Sequence, residues 1–181
     1  MTRKVAYQGE PGAFGEMACL SALPGWEPVA HDSFEQVADA VAAGRFERGM
    51  VPVENSNAGL VPGALDMLAR KAVAILERHP LHVAMHCLGL PGSSLDSIRL
   101  VRSHPMALRE SMTFIDAHGF AIEESRNTAI AAHRLKEMGD PSIAVLASSR
   151  SAEIYGLDML AANVQDSPDN TTFFAMIAPA G

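Results

Sequence analysis

Short apolar runs alternate with longer amphipathic runs along this chain, which is the pattern of α/β layering. Four short apolar runs in the first part predict strands, at residues 5–7, 28–31, 49–53 and 72–76. Amphipathic runs between them predict helices that end near residues 20, 42 and 70. Asp32 or Ser33 is suited to cap the second of these helices, because its oxygen can accept from a free backbone N–H.

A second series of the same kind begins after Pro80. It predicts strands at residues 81–90, 99–102, 121–123, 142–146 and 172–178. It predicts helices at residues 105–118, 128–138 and 148–155, with Gly119, Gly139 and Gly156 as C-terminal stops. Two series of similar length predict two lobes. The first comprises residues 1–78 plus 164–181, and the second residues 79–163.

Composition narrows the class of protein. A chain of 181 residues with 48% hydrophobic content can bury a sizeable core. A net charge of −7 argues against a nucleic-acid partner, and no apolar run reaches the roughly 18 residues of a membrane span. The first residues lack a signal-peptide pattern, and Cys19 and Cys87 are too few for a disulfide framework. We therefore expect a cytoplasmic protein.

Two polar clusters follow predicted strands in the first half. Residues 8–12 form a Gly-rich turn whose backbone N–H groups could hold an anion, although an ordinary tight turn has the same composition. Residues 54–59 form a polar loop at a strand end, which is typical of a binding loop and also of a solvated cap. Asn55 and Ser56 can donate to a carboxylate, whereas an ionised Glu54 only accepts.

Two further clusters lie in the second half. Ser103-His104-Pro105 joins a strand to a helix, so His104 is a candidate acid or base, or simply a capping residue. Residues 169–172 precede the last strand, and turn chemistry alone accounts for them. His82 and His86 are expected to share one strand face beside Cys87, but no second pair has zinc spacing, so no metal site is predicted.

Taken in order, these clusters and the motifs between them resemble the prephenate dehydratase family, including its arogenate-using relatives. Seven segments in register, covering essentially the whole chain, carry the resemblance. They are Val-Ala-Tyr-Gln-Gly-Glu-Pro-Gly-Ala (5–13), Val-Pro-Val-Glu-Asn-Ser-x-x-Gly (51–59), His-Cys-Leu (86–88), Ser-His-Pro (103–105), Asn-Thr-Ala-x-Ala-Ala (127–132), Ala-Glu-Ile-Tyr-Gly-Leu (152–157) and Gln-Asp-x-x-x-Asn-x-Thr (165–172).

The resemblance implies two periplasmic-binding-protein-like lobes with an active-site cleft between them. It implies conversion of prephenate to phenylpyruvate in phenylalanine biosynthesis, without cofactor or metal, by a chain that is commonly a homodimer. Thr172 would assist departure of the ring hydroxyl, with Glu54 and Asn55 as further catalytic residues. The substrate-binding positions it implies are Gln8, Gly9, Gly12, Ser56, Ser103, His104, Glu110, Thr128, Asn170 and Phe173.

Three positions depart from the family pattern. Its Thr-Arg-Phe is Thr172-Phe173-Phe174 here, its Gln after Ser-His-Pro is Glu110, and its Asp-Thr-Ala begins with Asn127. The first two changes make the expected cleft less positive, and Glu110 suits the ammonium of arogenate. The alternatives are therefore an enzyme acting on arogenate, a non-aromatising prephenate decarboxylase, and a non-catalytic small-molecule-binding protein.

Family members usually continue into an ACT regulatory domain that binds phenylalanine. This sequence stops at Gly181, soon after the last predicted strand. We therefore expect no phenylalanine switch within these residues.

Overall fold

The structure, a computed structural model, describes residues 2–181. These residues form two α/β units. The first comprises the chain up to Glu10, residues Phe14–Val83 and residues Asp169–Gly181; the second comprises Pro11–Ala13 and Ala84–Pro168. The prediction of an α/β chain with two lobes is confirmed.

The secondary structure alternates between strands and helices along most of the chain. The strands are β1 (Lys4–Gln8), β2 (Glu27–His31), β3 (Arg48–Asn55), β4 (Gly59–Leu60), β5 (Val73–His82), β6 (His86–Gly89), β7 (Leu100–Ser103), β8 (Ala121–Glu124), β9 (Ile143–Ala147), β10 (Asp158–Ala161) and β11 (Thr171–Pro179). The α-helices are α1 (Phe14–Ala22), α2 (Phe34–Ala42), α3 (Ala64–Ala69), α4 (Pro105–Arg109), α5 (Met112–His118), α6 (Thr128–Met138) and α7 (Ser149–Tyr155). A 3-10 turn, Leu95–Ser97, precedes β7.

The sheet of the first unit has the strand order β2-β1-β3-β11-β5, with β4 paired to β3. Strand β1 runs parallel to β2 and β3, whereas β11 runs antiparallel to both β3 and β5. The last strand of the chain therefore lies inside this sheet. One face packs on α2 and α3 through buried aliphatic side chains, which include Ala6, Val37, Val41, Val51, Val53, Leu68, Ala175 and Ile177.

The sheet of the second unit has the strand order β10-β6-β9-β7-β8. Strand β7 is parallel to β8 and β9, and β6 is antiparallel to β9 and β10. Every residue of β9 is buried, as expected for a central strand covered on both faces. Helices α6 and α7 cover this sheet with Ala131, Ala132, Leu135 and Tyr155.

The predicted helix ends are confirmed where capping chemistry determines them. The Ser33 hydroxyl accepts from the backbone N–H of Gln36 at 3.2 Å and caps α2. Gly119, Gly139 and Gly156 end their helices in the left-handed conformation, with φ of 65°, 66° and 63°. This conformation carries no steric penalty for glycine, which explains why these stops were readable from sequence.

The predicted helix at residues 105–118 is wrong, because α4 ends at Arg109 and α5 begins at Met112. The carbonyl of Glu110 accepts from the backbone N–H of Asp166 at 2.6 Å. The Asp166 carboxylate in turn accepts from the N–H of Thr113 at 3.2 Å, in the first turn of α5. A distant segment therefore supplies the hydrogen bonds that accompany this break.

The predicted strand at residues 81–90 is also wrong. Strand β5 runs on from Val73 to His82, and β6 begins separately at His86. Between them, the N–H of Val83 donates to the carbonyl of Asn170 at 2.8 Å. The units consequently divide after Val83 and after Pro168, rather than at residues 78 and 163.

His82 and His86 lie on different strands in different units, so the prediction that they share a strand face is wrong. Among residues 2–181, no three His, Cys, Asp or Glu side chains are grouped closely enough to hold a metal ion. Within the same residues, no helix has the length and apolar composition to cross a bilayer.

Candidate active site

Polar side chains meet in the first unit where β3 ends and β11 begins. The two strands are antiparallel, with Asn55 opposite Thr172 and Glu54 opposite Phe173. This pairing brings together residues from two of the sequence clusters that lie far apart along the chain. We call Glu54, Asn55, Ser56, Asn170 and Thr172 the strand-end cluster.

Asn55 is the most highly connected side chain of the strand-end cluster. Its Oδ1 accepts from the backbone N–H groups of Asn57 at 2.9 Å and Ala58 at 3.0 Å. Its Nδ2 donates to Asn170 Oδ1 at 2.6 Å and to Thr172 Oγ1 at 3.1 Å. A primary amide has two N–H donors and two lone pairs, so its hydrogen-bonding capacity is used within the protein. Asn55 therefore holds its neighbours in place, and its predicted catalytic role stays a prediction.

The Thr172 hydroxyl is partly buried at the start of β11. It accepts one hydrogen bond, from Asn55, and no further bond of this hydroxyl is present among residues 2–181. Because the oxygen receives a proton from Asn55, its own proton points elsewhere. Thr172 thus presents an O–H donor, which is the property expected of a residue that assists a departing hydroxyl.

Ser56 and Asn170 fasten the segment that carries Thr172. The Ser56 hydroxyl donates to the carbonyl of Asp169 at 2.9 Å and accepts from the N–H of Thr171 at 2.9 Å. The backbone N–H of Ser56 donates to the Thr171 carbonyl at 2.8 Å. Asn170 is only 1% exposed, and its carbonyl accepts from Val83 at the end of β5. The position of Thr172 is consequently set from both neighbouring strands.

Glu54 is neutralised by a residue that sequence reasoning did not single out. The guanidinium of Arg78, on β5, forms an ion pair with the Glu54 carboxylate across β11. It also lies 5.7 Å from the ring centroid of Phe173, so a positive charge is present over the position where the family has arginine. Arg78 could be found only once β5 is known to pair with β11. Consecutive residues of a strand point to opposite faces, so Phe173 faces away from Thr172.

The Gly-rich turn after β1 is hydrogen-bonded to the segment that follows β2 and to the end of β2 itself. The N–H of Gly9 donates to the His31 carbonyl at 3.0 Å, and the Gln8 amide donates to the Asp32 carbonyl at 3.5 Å. Gly12 belongs to the second unit rather than the first. The predicted substrate contacts of Gln8, Gly9 and Gly12 stay predictions, and the hydrogen bonds of Gln8 and Gly9 are structural.

Gly12 has a structural role that its sequence position did not reveal. Its carbonyl accepts from the hydroxyls of Ser148 at 2.6 Å and Ser151 at 3.1 Å, both at the start of α7. With a φ of 94°, it occupies a conformation that other residues rarely adopt. A Cβ here would lie 2.5 Å from Ser151 Oγ, so both the backbone and the space require glycine.

Other candidate residues lie in the second unit, at the carboxyl ends of its parallel strands. Ser103 ends β7, His104 caps α4, and Thr128 is the first residue of α6. Because β7 and β8 are parallel and adjacent, the loops that follow them leave the same edge of the sheet. The sequence predicted helices that begin at residues 105 and 128, and both helix starts are confirmed.

Ser103 and Thr128 are buried within this unit. The Ser103 hydroxyl has no exposed surface and donates to the Leu146 carbonyl at 2.6 Å, which favours a structural role. Thr128 is 9% exposed and follows Asn127, whose side chain caps α6 by accepting from Ile130 at 2.7 Å. The buried hydroxyl of Ser125 has no hydrogen-bond partner among the described residues.

His104 combines capping with a defined tautomer of its neutral ring. Its Nδ1 accepts from the N–H of Met106 at 3.1 Å, which places the ring proton of the neutral form on Nε2. Partial burial lowers the pKa of His104, while the nearby Glu124 charge acts in the opposite direction. The neutral ring therefore offers an Nε2–H donor. Glu110, the residue that ends α4, lies at the break before α5.

The sequence and the fold were compared with known proteins. The family model of prephenate dehydratase matches residues 5–181. Arogenate dehydratase/prephenate dehydratase 1 of Arabidopsis thaliana, described as chloroplastic, is 35% identical over 175 residues, which are 97% of this chain and 45% of the relative. A bifunctional N-acyl-homoserine lactone acylase/prephenate dehydratase of Komagataeibacter europaeus is 37% identical over 172 residues, which are 95% of this chain and 61% of the relative.

Solved structures show the same fold. The prephenate dehydratase of Arthrobacter aurescens, solved in complex with L-Phe, superposes with a TM-score of 0.90 at 25% identity, over 98% of this chain and 61% of that one. Periplasmic substrate-binding proteins share the fold alone, at much lower identity. This chain spans about half the length of the curated relatives named above. Since the family model covers almost all of the residues, the chain belongs to the prephenate dehydratase family.

Proposed function

We propose that this chain catalyses the decarboxylating dehydration of prephenate to phenylpyruvate. The observation that carries the proposal is the hydrogen bond from the Asn55 amide to the Thr172 hydroxyl oxygen. Because the oxygen accepts this bond, the hydroxyl proton of Thr172 points away from the amide. The family membership and the relatives named as prephenate dehydratases support the same reaction.

In this reaction the bond between the ring and its carboxylate breaks, and its electron pair enters the ring. The ring then becomes aromatic and expels the hydroxyl on the opposite carbon. With one proton, the departing hydroxide becomes water, and carbon dioxide and phenylpyruvate are the other products. The charge that develops on the departing oxygen is the feature that an enzyme must stabilise.

Thr172 serves this step as a hydrogen-bond donor. A threonine hydroxyl is too weak an acid to be ionised, but it can donate to an oxygen that becomes negative in the transition state. Glu54 is already neutralised by Arg78, so the strand-end cluster offers no unpaired carboxylate of Glu54 to repel a dianionic substrate. His104, with its proton on Nε2, is the second donor that we assign to substrate binding.

Arogenate is the alternative substrate within the same reaction. It carries an ammonium where prephenate carries a keto group, and its product is phenylalanine. Glu110 supplies a carboxylate suited to an ammonium, and Phe173 stands where the family has arginine. The Arabidopsis relative is named for both substrates, which supports testing both.

Product analysis decides between these possibilities. The purified chain is incubated with prephenate and separately with arogenate, without added metal or nucleotide, and the products are identified by mass. Phenylpyruvate from prephenate supports the proposal, and phenylalanine from arogenate supports the alternative. A non-aromatic keto acid would indicate a decarboxylase, and two unchanged substrates would indicate a binding protein. Activity that disappears on chelation and returns with zinc would contradict cofactor-free catalysis.

The Komagataeibacter relative supports a second candidate activity, cleavage of the amide bond in N-acyl-homoserine lactones. Such hydrolysis commonly uses an activated nucleophile. Cys19 and Cys87 are unsuitable, because burial raises the pKa of each thiol to about 12. Release of homoserine lactone by the same preparation tests this activity. We expect Thr172→Val to abolish dehydration and to leave any acylase activity unchanged.

We also infer a cytoplasmic homodimer. The two buried cysteines are unpaired, which suits a reducing compartment. Strand β5 lies at the edge of its sheet and exposes Ile75 and Leu76, at 46% and 51%. Exposed aliphatic side chains on an edge strand favour association. Sedimentation equilibrium of the purified chain tests this, and a monomer at micromolar concentration would contradict it.

A further inference from the structure

The hydrogen bond between Asn55 and Thr172 has a direction, and the direction determines what Thr172 can do. We propose that Asn55, held by Asn170, is a positioning residue that turns the Thr172 hydroxyl proton towards the substrate. This inference rests on the proposed function, since it concerns the donor in that reaction. In this inference, Asn55 and Asn170 act on the substrate indirectly, by orienting Thr172, and do not contact the substrate themselves.

Backbone groups determine the orientation of the Asn55 amide. Two N–H groups, of Asn57 and Ala58, point at one end of the amide at 2.9 and 3.0 Å. Only an oxygen can accept from both, so the nitrogen must occupy the other end. A rotation that exchanged the two ends would direct N–H groups at N–H groups. The nitrogen end of Asn55 therefore always faces Thr172.

Asn170 provides the second restraint. Its Oδ1 accepts from Asn55 Nδ2 at 2.6 Å, and the residue is 1% exposed. One amide proton of Asn55 is thus directed to Asn170, and the other is left for Thr172 Oγ1 at 3.1 Å. The threonine oxygen accepts, so its own proton must point away from Asn55. A hydroxyl that accepts one bond also donates more strongly, because successive hydrogen bonds polarise one another.

Asn55→Asp reverses this hydrogen bond with almost no change in shape. An ionised aspartate still accepts from Asn57 and Ala58, but its second oxygen has no proton. Thr172 then donates to that oxygen, and its proton is withdrawn from the substrate. We expect kcat to fall about 10²-fold while KM changes less than about threefold, since the lost interaction is made only in the transition state.

The pH profile separates positioning from simple structural damage. A protonated aspartic acid can donate to Thr172 as asparagine does. The kcat of Asn55→Asp should therefore recover as the pH falls through the carboxyl pKa, which is about 3.9 in model peptides. The unmodified protein should show no such rise. The non-enzymatic rate at each pH is measured without protein and subtracted.

Asn57→Asp is the matched control. It makes the same change of charge two residues away, at an exposed position, and it keeps the backbone N–H that Asn55 uses. We expect its kcat to stay within about twofold of the unmodified protein, because water screens a charge at an exposed position. Circular dichroism and melting temperatures of both variants show whether they fold. If Asn57→Asp loses as much activity as Asn55→Asp, charge alone is responsible and the positioning role is wrong.

Two further results would overturn the inference. Normal kcat in Asn55→Asp, together with an inactive Thr172→Val, would leave Thr172 as the donor and remove the role of Asn55. No phenylpyruvate from the unmodified protein would refute the proposed function, and the inference with it. Independently of activity, Thr172→Val should shift one of the two Asn55 side-chain amide protons in a nitrogen-correlated NMR spectrum. Unshifted resonances would show that the hydrogen bond is absent.

Discussion

Replacing Thr172 by valine is the most direct test of the chemistry assigned to the strand-end cluster. The change removes Oγ1 and keeps the β-branched shape that suits the start of β11. A donor that acts only in the transition state typically contributes on the order of 10²–10³ in kcat, or about 2.7–4 kcal/mol. We therefore expect kcat to fall by at least about 10²-fold with little change in KM.

The structure also predicts how little Thr172→Val costs in stability. Asn55 Nδ2 loses its contact with Thr172 but keeps its hydrogen bond to Asn170. One lost bond at a partly buried site costs about 0.5–1.5 kcal/mol, or roughly 1–6 °C in melting temperature for a chain of this size. Expressed as free energy, the expected loss of kcat is thus larger than the expected loss of stability. A difference in this direction identifies a role of Thr172 in catalysis.

The assay is phenylpyruvate formation from prephenate over a range of substrate concentrations, with thermal melting of each variant. Thr172→Ser keeps the hydroxyl and should retain most of kcat. Near-normal turnover by Thr172→Val would refute the reasoning and move the donor role to His104, whose Nε2–H is the next candidate. Equal losses in the serine and valine variants would show that shape, not the hydroxyl, matters.

Three other perturbations test separate parts of the structure. Burial lowers the pKa of His86 in the folded protein. Its contribution to stability is therefore full above the unfolded pKa of about 6.5 and is lost as the pH falls below that value. In urea unfolding, the free energy of unfolding should decline less between pH 8 and pH 5 in His86→Asn than in the unmodified protein. Gly12→Ala should cost about 1–3 kcal/mol, because its φ is 94° and a serine hydroxyl of α7 fills the space; an unchanged melting temperature would contradict this. Glu110→Gln should shift the ratio of kcat/KM from arogenate towards prephenate by about tenfold, the value of a charged hydrogen bond. Adding Phe173→Arg should change little, because Arg78 already lies over that position; a further large gain would refute the charge argument.

Local chemistry determined which features could be predicted from the sequence. Helix α6 was predicted at its observed bounds, and its end signals adjoin the helix directly: Asn127 caps its start and Gly139 ends it. Glu54 and Thr172 were given roles by the resemblance to the family, although the polar residues beside apolar runs also mark strand ends. Such signals act over a few residues, so a single sequence displays them.

Features that depend on distant partners were missed. The break between α4 and α5 is bonded to Asp166, and the role of Arg78 requires β5 to pair with β11. The roles of Asn55 and Gly12 are likewise set by partners more than a hundred residues away, Thr172 and Ser148. No local pattern encodes these partners. The sequence therefore supplied candidate residues at these sites without revealing which of them contact one another.

The position of β11 has a consequence for synthesis. Strands β3 and β5 form early in the chain, but the strand that joins them begins at Thr171. The second sheet lies almost entirely between these points, so a ribosome delivers it complete while the first sheet is still missing its inner strand. During that interval β3 and β5 expose the edges that β11 will cover, which is when the nascent chain is most prone to aggregate. Asn170 and Thr172 belong to that same late segment, so the strand-end cluster can assemble only after β11 has been synthesised.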